Sequence, residues 1–351
     1  MINLFYPYIP QDAIDEVKDT LSTRWIGQGP RVDKFEDDFS KKFNQRYCVS
    51  MNSGSAALET AYELVGIKPG DEVITTALTC TATNIPLLRM GAKLVWADIN
   101  EDTLCIEKQD ILNKITDKTK AIINVHLGGI DNDLGPMPLP VISDSAQALG
   151  VFNGDYTCNS FQAIKHITTG DGGMLVVHKQ NEYAKSKLMR WFGIDREEKQ
   201  RKDWQPYQGR EMTFDIQLLG YKRQMTDIAA GMGIIGLKHY DEVIAHRSKL
   251  FALYKKILKV KVIDGDVNTH WLCTVLLDDR EGVAKMLLKN GVETNLVQVR
   301  NDAYKIFGGR VKLPNLDRIE NKYLSLPLHT HVTEEDVIKI SNLINKFNGS
   351  I

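Results

Sequence analysis

The sequence predicts an α/β fold, with a mainly parallel central sheet covered by helices and a smaller α+β domain at its C-terminal end. Short apolar runs alternate with helical spacing over the first two thirds of the chain, a pattern typical of parallel sheets. From residue 225 a long helical stretch replaces this alternation. Because 351 residues suffice for two domains, we predict a large domain over residues 1–240 and a small one over 241–351.

The predicted elements follow from the period of the apolar residues. Helices are expected where the period is close to 3.6, at residues 11–22, 32–43, 52–64, 225–258, 280–290 and 333–347. In the first helix Ile14, Val17 and Leu21 share one face, and the fourth is expected to break around residues 238–241. Strands are expected at residues 47–51, 72–75, 93–97, 120–125, 139–143, 174–177, 271–277 and 293–297. A compact turn is expected at residues 150–159.

Composition and charge exclude several classes of function. The net charge is −1, so no strong field attracts nucleic acid or an anionic membrane. No apolar run is long enough to span a bilayer, and the first residues lack the pattern of a secretion signal. Five scattered cysteines without a CxxC pair indicate reduced thiols, a cytoplasmic setting and no zinc site. We therefore expect no metal, no nucleic-acid partner and no membrane partner.

Residues 160–174, SFQAIKHITTGDGGM, place one lysine, Lys165, in a run of apolar and small residues before a strand. Such an amine is either a solvated loop residue or a buried nucleophile. Most lysines are solvated, so this segment alone favours the first interpretation.

Residues 52–57, NSGSAA, lie where a strand gives way to a helix. Ser53 suits the N-cap position, and Gly54 lets a ligand approach the backbone. A helix N-terminus of this kind binds anions, phosphate especially, although an ordinary capped helix has the same pattern.

Asp144 follows a hydrophobic strand, at the sheet edge where ligands bind in parallel α/β proteins. Its carboxylate either holds a heteroaromatic nitrogen in its protonated form or caps the next helix. A phosphate site, an acid for a ring nitrogen and a lysine among apolar residues together describe a site for pyridoxal phosphate. In such a site Lys165 forms a Schiff base with the aldehyde, and Ser160 helps to hold the phosphate.

A series of short motifs in this order resembles the DegT/DnrJ/EryC1/StrS family of sugar aminotransferases over nearly the whole chain. The matching motifs are WIGQGP at 25–30, FE at 35–36, NSGSAA at 52–57, GDEVIT at 70–75, TKAIINVH at 119–126, DSAQ at 144–147, SF at 160–161, Lys165, GDGG at 170–173, GYK at 220–222, MTDI at 225–228 and LSLPL at 324–328. The resemblance implies a fold-type I pyridoxal-phosphate transferase, similar in fold to aspartate aminotransferase.

The resemblance also implies the roles of individual residues. Lys165 matches the catalytic lysine that carries the cofactor and moves protons, and Asp144 matches the partner of the pyridine nitrogen. Gln147 matches a residue near the ring hydroxyl. The phosphate ligands match Gly54, Ser55 and Ser160, together with Lys222 from the neighbouring subunit of a homodimer with shared active sites.

The substrates that the resemblance implies are glutamate and a nucleotide-linked 4-keto-6-deoxy sugar, with amination more commonly at C4 than at C3. Residues 190–196, RWFGIDR, resemble a stretch that borders the sugar nucleotide, or they form a packed helix end with an exposed arginine. Trp204, Tyr207 and Arg210 lie in a polar loop and could also line the pocket.

The chain departs from the family pattern at Cys80, which stands where family members carry an aromatic residue that stacks on the pyridine ring. We expect less stacking there and weaker cofactor binding. Residues 128–140 are proline-rich and short, so the usual connecting helix is expected to be trimmed. Two other functions stay open: a sugar dehydratase of the same fold, in which histidine replaces the lysine, and a non-catalytic nucleotide-sugar binding or regulatory protein. Lys165, with His166 as a neighbour of no assigned role, favours amino transfer.

Overall fold

The computed structural model describes residues 1–196, 216 and 218–348. Its main feature is a seven-stranded sheet of order β1-β7-β6-β5-β4-β2-β3. The strands are β1 (Tyr47–Met51), β2 (Glu72–Thr76), β3 (Lys93–Ala97), β4 (Thr119–Val125), β5 (Val141–Asp144), β6 (Tyr156–Ser160) and β7 (Gly173–Val177). Strand β7 is antiparallel to both its neighbours, and the remaining pairs are parallel. The predicted mainly parallel sheet is therefore confirmed.

Strand β6 lies where the sequence predicted part of a compact turn, so that prediction was wrong for residues 156–159. Thr157 and Asn159 are polar and therefore favoured a turn over a strand in the sequence interpretation. In the structure both side chains are fully buried. The strand forms because β5 and β7 flank it and satisfy its backbone on both sides.

Helices cover both faces of the sheet and extend from it into the C-terminal part. They are α1 (Gln11–Leu21), α2 (Pro30–Phe43), α3 (Gly54–Val65), α4 (Thr81–Arg89), α5 (Lys108–Lys114), α6 (Gln180–Met189), α7 (Asp227–Ile257), α8 (Arg280–Lys289), α9 (Pro314–Ile319) and α10 (Glu334–Asn348). Between β4 and β5 the chain forms only a short 3-10 turn at Leu127–Gly129, so the expected trimming of the connecting helix is confirmed. Among the residues described above, no helix is both long and apolar enough to cross a membrane.

Helix α7 runs without interruption, so the break expected at residues 238–241 is wrong. Lys238 and Asp241 lie on the exposed side of the helix, while Tyr240 faces the core and donates to the Leu149 carbonyl at 2.6 Å. Charged residues are compatible with a helix interior, and neither glycine nor proline occurs at these positions. The predicted domain boundary at residues 240–241 falls inside this helix and stays a prediction.

The apolar face of α1 lies largely outside the core, with Val17 half-buried. Ile14 and Leu21 are 51% and 57% exposed, whereas Ala13 and Thr20 are buried. Helix α1 approaches α7 closely at Gly231, where a Cβ atom would lie 3.2 Å from the Thr20 hydroxyl. Small residues therefore form the contact, because they allow two helices to pack at short distance.

The C-terminal part contains a second, two-stranded antiparallel sheet of β8 (Cys273–Leu276) and β9 (Tyr323–Leu326). Its core also includes residues of α7, α8 and α10. The strand expected at residues 293–297 is reduced to a single bridge between Asn295 and Ser325. The Asn295 side chain accepts from the Leu296 N–H at 2.7 Å, which takes up a donor that a longer ladder would need.

Candidate active site

Three of the predicted site residues, Asp144, Ser160 and Lys165, lie at or just after the carboxyl ends of neighbouring strands. Asp144 is the last residue of β5, and Ser160 is the last residue of the adjacent β6. Lys165 lies in the loop between β6 and β7, and its N–H donates to the Gln162 carbonyl at 2.9 Å. The N–H of Gln162 donates in turn to the Ser160 hydroxyl at 3.3 Å, so the loop that carries Lys165 is tied to the end of β6.

Asp144 is buried and held in one orientation. Its carboxylate accepts from the Thr83 hydroxyl at 2.7 Å and from the Ala146 N–H at 3.1 Å. Burial raises the pKa of Asp144, while these two donors and the charge of Lys165 oppose that effect. The carboxylate is thus placed to pair with a cation at this edge of the sheet.

Lys165 is only partly exposed, and burial lowers the pKa of its amine to about 8, although Asp144 and Cys80 favour the charged form. Within the part of the chain that the structure describes, Nζ makes no hydrogen bond. The atom lies instead over the ring of Trp271, 4.1 Å from its centroid. The lowered pKa disfavours the interpretation of Lys165 as a solvated loop residue, and its role as a nucleophile stays a prediction.

The N-terminus of α3 lies against the end of β6, and its predicted binding of an anion stays a prediction. The Ser53 hydroxyl accepts from the Ala56 N–H at 3.1 Å, so the predicted N-cap is present. A Cβ atom on Gly54 would lie only 2.9 Å from the Ser160 Cβ, so glycine is required where these two segments approach each other. Ser55 lines a cavity of about 300 Å³ together with Ser53 and Lys222.

These residues fit a pyridine cofactor that carries an aldehyde and a phosphate. The amine of Lys165 has no hydrogen-bond partner among the described residues and can react with a carbonyl. The Asp144 carboxylate is buried nearby, and the Gly54 approach leaves helix N–H groups at the same edge.

Gln147 and Cys80 border the same region. The Gln147 side-chain carbonyl accepts from the Gly128 N–H at 2.8 Å, which holds the turn after β4. Cys80 is exposed and directly precedes α4, within electrostatic range of Lys165. Its predicted effect on ring stacking stays a prediction.

Lys222 is exposed and lines the cavity of Ser53 and Ser55, and Lys165 is not among the lining residues of that cavity. Its carbonyl accepts from the Asn52 side chain at 3.3 Å, and its Nζ lies 5.9 Å from the centre of the Trp191 ring. Its predicted entry into a neighbouring subunit stays a prediction.

The segment at residues 190–196 divides into a buried and an exposed end. Arg190 is buried and forms an ion pair with Glu36, so its guanidinium does not face a substrate. Arg196 is exposed, and its guanidinium lies 5.0 Å from the centre of the Trp191 ring. Trp204, Tyr207 and Arg210 lie outside the described residues.

His166 points away from the Lys165 amine and into the protein. Its Nε2 lies 2.9 Å from the Thr269 carbonyl oxygen, and burial holds the pKa of the imidazole well below its usual range. The expectation that His166 has no role in the reaction stays a prediction.

The sequence interpretation missed two residues of the site, Thr83 and Trp271. Thr83 lies in the segment that contains Cys80, and an available signal was its position one turn into the helix that begins there. Trp271 belongs to the C-terminal part and reaches Lys165 only through the tertiary fold, so no local pattern marks it.

Comparison with known proteins shows which family the chain resembles in sequence. The sequence model of the DegT/DnrJ/EryC1/StrS aminotransferase family matches residues 7–345. The spore coat polysaccharide biosynthesis protein SpsC of Bacillus subtilis is 30% identical over 95% of each chain. A dTDP-4-dehydro-2,3,6-trideoxy-D-glucose 4-aminotransferase of Saccharopolyspora spinosa is 27% identical over 99% of this chain and 96% of its own.

Solved structures give the same picture. The sugar aminotransferase CalS13 of Micromonospora echinospora superposes with a TM-score of 0.90 at 28% identity, covering 99% of this chain and 100% of its own. The Streptococcus pneumoniae protein Spr1654, at 26% identity and about 98–99% coverage of both chains, superposes with TM-scores of 0.84 in its PLP form and 0.89 in its PMP form. The predicted fold-type I architecture is confirmed by these structures.

Proposed function

We propose a specific reaction for this chain, which belongs to the DegT/DnrJ/EryC1/StrS family and is a pyridoxal-phosphate-dependent sugar aminotransferase. In the proposed reaction, the enzyme moves an amino group from glutamate to C4 of a nucleotide-linked 4-keto-6-deoxy sugar. The observation that carries the proposal is the desolvated amine of Lys165 beside the buried carboxylate of Asp144. Such a pair suits an enzyme that must bind a carbonyl covalently and then move protons.

The site residues would hold the cofactor at three points. Lys165 would bind it covalently through Nζ, and Asp144 would pair with the ring nitrogen, with its orientation fixed by Thr83. Gly54, Ser55 and Ser160 would hold the phosphate at the N-terminus of α3, where backbone N–H groups and the helix dipole favour an anion. When bound, the cofactor supplies an electron sink and carries the amino group between the two substrates.

Lys165 would act as the acid and base of the reaction. With a pKa of about 8, the amine exchanges protons readily near neutral pH. Its Nζ would take a proton from the donor amino acid and later return one, and the partly buried loop would limit exchange with water.

The substrate assignment rests on the surface next to Lys222. Trp191 and Phe192 form a pair of rings 4.9 Å apart, flanked by the cations of Arg196 and Lys222. Rings and cations together suit a base and a diphosphate. The printed activity of the S. spinosa relative, a 4-aminotransferase acting on a dTDP sugar, supports C4, and C3 is the alternative for product analysis.

We further propose a cytoplasmic homodimer in which Lys222 of one subunit completes the phosphate site of the other. The exposed position of Lys222 at the mouth of the 300 Å³ cavity supports an encounter with a second chain. A dehydratase of the same fold is less well supported, because Lys165 lies at the reactive position and His166 points to the Thr269 carbonyl.

The test is the visible spectrum of the purified protein with pyridoxal phosphate, before and after glutamate. We expect a band that glutamate bleaches with formation of 2-oxoglutarate, and that a suitable keto-sugar nucleotide restores. Lys165→Ala should lose turnover by on the order of 10³-fold, because both covalent binding and proton transfer need the amine. The matched control is Lys256→Ala, which removes an exposed lysine from the last turn of α7.

Three results would contradict the proposal. Release of ammonia in place of 2-oxoglutarate would indicate the dehydratase, and a band unmoved by glutamate would exclude this amino donor. Full turnover by Lys165→Ala would remove the assigned role of Lys165. Nuclear magnetic resonance of the product separates C4 from C3 amination.

A further inference from the structure

The indole of Trp271 lies against the amine of Lys165. The distance of 4.1 Å from Nζ to the ring centroid is well inside the ~6 Å at which an aromatic face attracts an ammonium group. Trp271 is only 1% exposed, so the contact is shielded from water, the condition in which this attraction is strongest.

Several contacts fix the indole in this place. Its Nε1 donates to the carbonyl of Ile164, the residue before Lys165, at 2.9 Å. Its backbone N–H donates to the Gly128 carbonyl at 3.0 Å, and Phe5 stacks on its ring at 5.4 Å with an interplanar angle of 28°. The ring therefore cannot turn away from Lys165 without breaking a partly buried hydrogen bond and a stacking contact.

The charged and titratable groups around Lys165 do not fully stabilise its protonated amine, so the ring of Trp271 can add to that stabilisation. Asp144 and Cys80 favour the protonated amine, and burial disfavours it more strongly, which lowers the pKa of Lys165 to about 8. The neighbouring His166 has its pKa held well below the usual range by burial, so it adds no positive charge near neutral pH. Among the described residues, no carboxylate hydrogen-bonds to Nζ.

An aromatic face differs from a carboxylate in one respect that matters for an acid–base lysine. A carboxylate in hydrogen-bond contact would hold the ammonium in a salt bridge and raise its pKa well above the working range. A ring face attracts the positive charge but cannot accept the proton. The charged amine is thus held while its proton stays available for transfer.

We propose that Trp271 is a positioning residue for Lys165, whose ring face holds the amine in the protonated state that Nζ occupies after it has taken a proton. The inference rests on the proposed function, in which Lys165 is the acid and base. It assigns to the C-terminal part of the chain, through a single side chain, a direct effect on the proton transfer at the edge of the large sheet.

The test measures the pKa of Lys165 in the full-length chain after removal of the cofactor. The rate at which an amine-reactive reagent modifies Lys165 is followed against pH by mass spectrometry of the peptide that contains it. We expect Trp271→Leu to lower the pKa of Lys165 by about one unit, because an apolar side chain keeps the site dry but removes the ring face. Trp271→Phe keeps a ring and should give a smaller decrease.

Trp96→Leu is the matched control, since it also removes a buried tryptophan but one that contacts Phe307 in a different part of the core. It should leave the pKa of Lys165 unchanged. In the protein loaded with cofactor, Trp271→Leu should slow the glutamate-driven bleaching about tenfold with little change in the KM for glutamate, because positioning alters the proton transfer and not the binding.

An unchanged or raised pKa of Lys165 in Trp271→Leu would overturn the inference, because the ring would then act only as a wall against water. If Trp271→Leu does not fold, Trp271→Met, whose longer and more flexible side chain adapts better to the space that the indole leaves, takes its place with the same expected decrease. The proposed function fails separately, through the glutamate and Lys165→Ala experiments on the otherwise unchanged protein, so the two failures are distinguishable.

Discussion

Two lysines of this chain, Lys165 and Lys222, occupy opposite kinds of environment. Lys165 lies in a loop at the sheet edge, with a desolvated amine over Trp271 and a pKa lowered to about 8. Lys222 is exposed at the mouth of a cavity, with Nζ near the Trp191 ring. The groups that surround Lys165 are held by their neighbours, Asp144 by Thr83 and Trp271 by the Ile164 carbonyl. The surroundings of Lys222 are open, as expected for a residue that meets a substrate or a second subunit.

The difference indicates how the work of the site is divided. An interior amine can exchange its proton near neutral pH because burial makes its charged form less stable and so lowers its pKa. An exposed ammonium is suited to hold a phosphate, since it does not need to change its protonation state. The following experiments test the surroundings of Lys165, here called the interior half, and then those of Lys222, the exposed half. Changes around Lys165 are expected to give the larger effects.

After the loss of Lys165 itself, the largest effect on the interior site is expected from the loss of the Asp144 charge. Asp144→Asn should lower turnover by on the order of 10²-fold, because an amide cannot stabilise a protonated ring nitrogen. The change is measured as turnover at saturating cofactor. Asp98→Asn is the control: Asp98 is also buried but accepts from the backbone N–H groups of Asn315 and Leu316, so its loss should affect stability and not turnover. Equal loss of turnover in both variants would contradict the role of Asp144.

The exposed half is tested by mixing subunits. Lys222→Ala should weaken cofactor binding by about tenfold, because one charged phosphate contact is lost. If Lys222 acts across a dimer, mixing this variant with Lys165→Ala should restore about a quarter of the wild-type sites, since half of the dimers are hybrids and each hybrid has one intact site. The restored fraction is measured as turnover at limiting cofactor. No restoration on mixing, with hybrid dimers verified by mass spectrometry, would show that Lys222 acts within its own chain.

The smallest effect is expected at Cys80. This residue is exposed, as Lys222 is, but it lies close enough to Lys165 to favour the charged form of that amine. Cys80→Tyr should tighten cofactor binding by about two- to tenfold, because an aromatic side chain adds stacking on the pyridine ring. Fluorescence titration with pyridoxal phosphate measures the affinity. Cys80→Ser adds no ring and should show no gain, and an equal gain in both variants would argue against the stacking explanation.

The parts of the site that the sequence predicted depend on local signals. Asp144 ends an apolar strand, and Ser53 and Gly54 have the pattern of a helix start, so their positions at one sheet edge follow from the rules of parallel sheets. A buried Lys165 could be predicted only from these signals in combination, because its own segment favoured a solvated lysine.

The parts that the sequence did not predict depend on contacts between distant segments. Strand β6 carries polar residues that are tolerated only because neighbouring strands cover them. The exposure of Ile14 and Leu21 on α1 follows from the close approach at Gly231 on α7, which no local period reveals. Trp271 likewise reaches Lys165 through the tertiary fold.

The position of β7 in the sheet has a consequence for how the chain acquires its structure during synthesis. Within the sheet, the neighbour of strand β1 is β7, and β7 also pairs with β6, whose loop to β7 contains Lys165. The first strand must therefore wait without a partner until residues 173–177 have left the ribosome. When they arrive, one docking event completes the sheet and closes the loop around Lys165. A nascent chain stalled before residue 173 would have neither, so completion of the sheet and closure of the loop belong to one step, whereas the contact of the Lys165 amine with Trp271 must await residue 271.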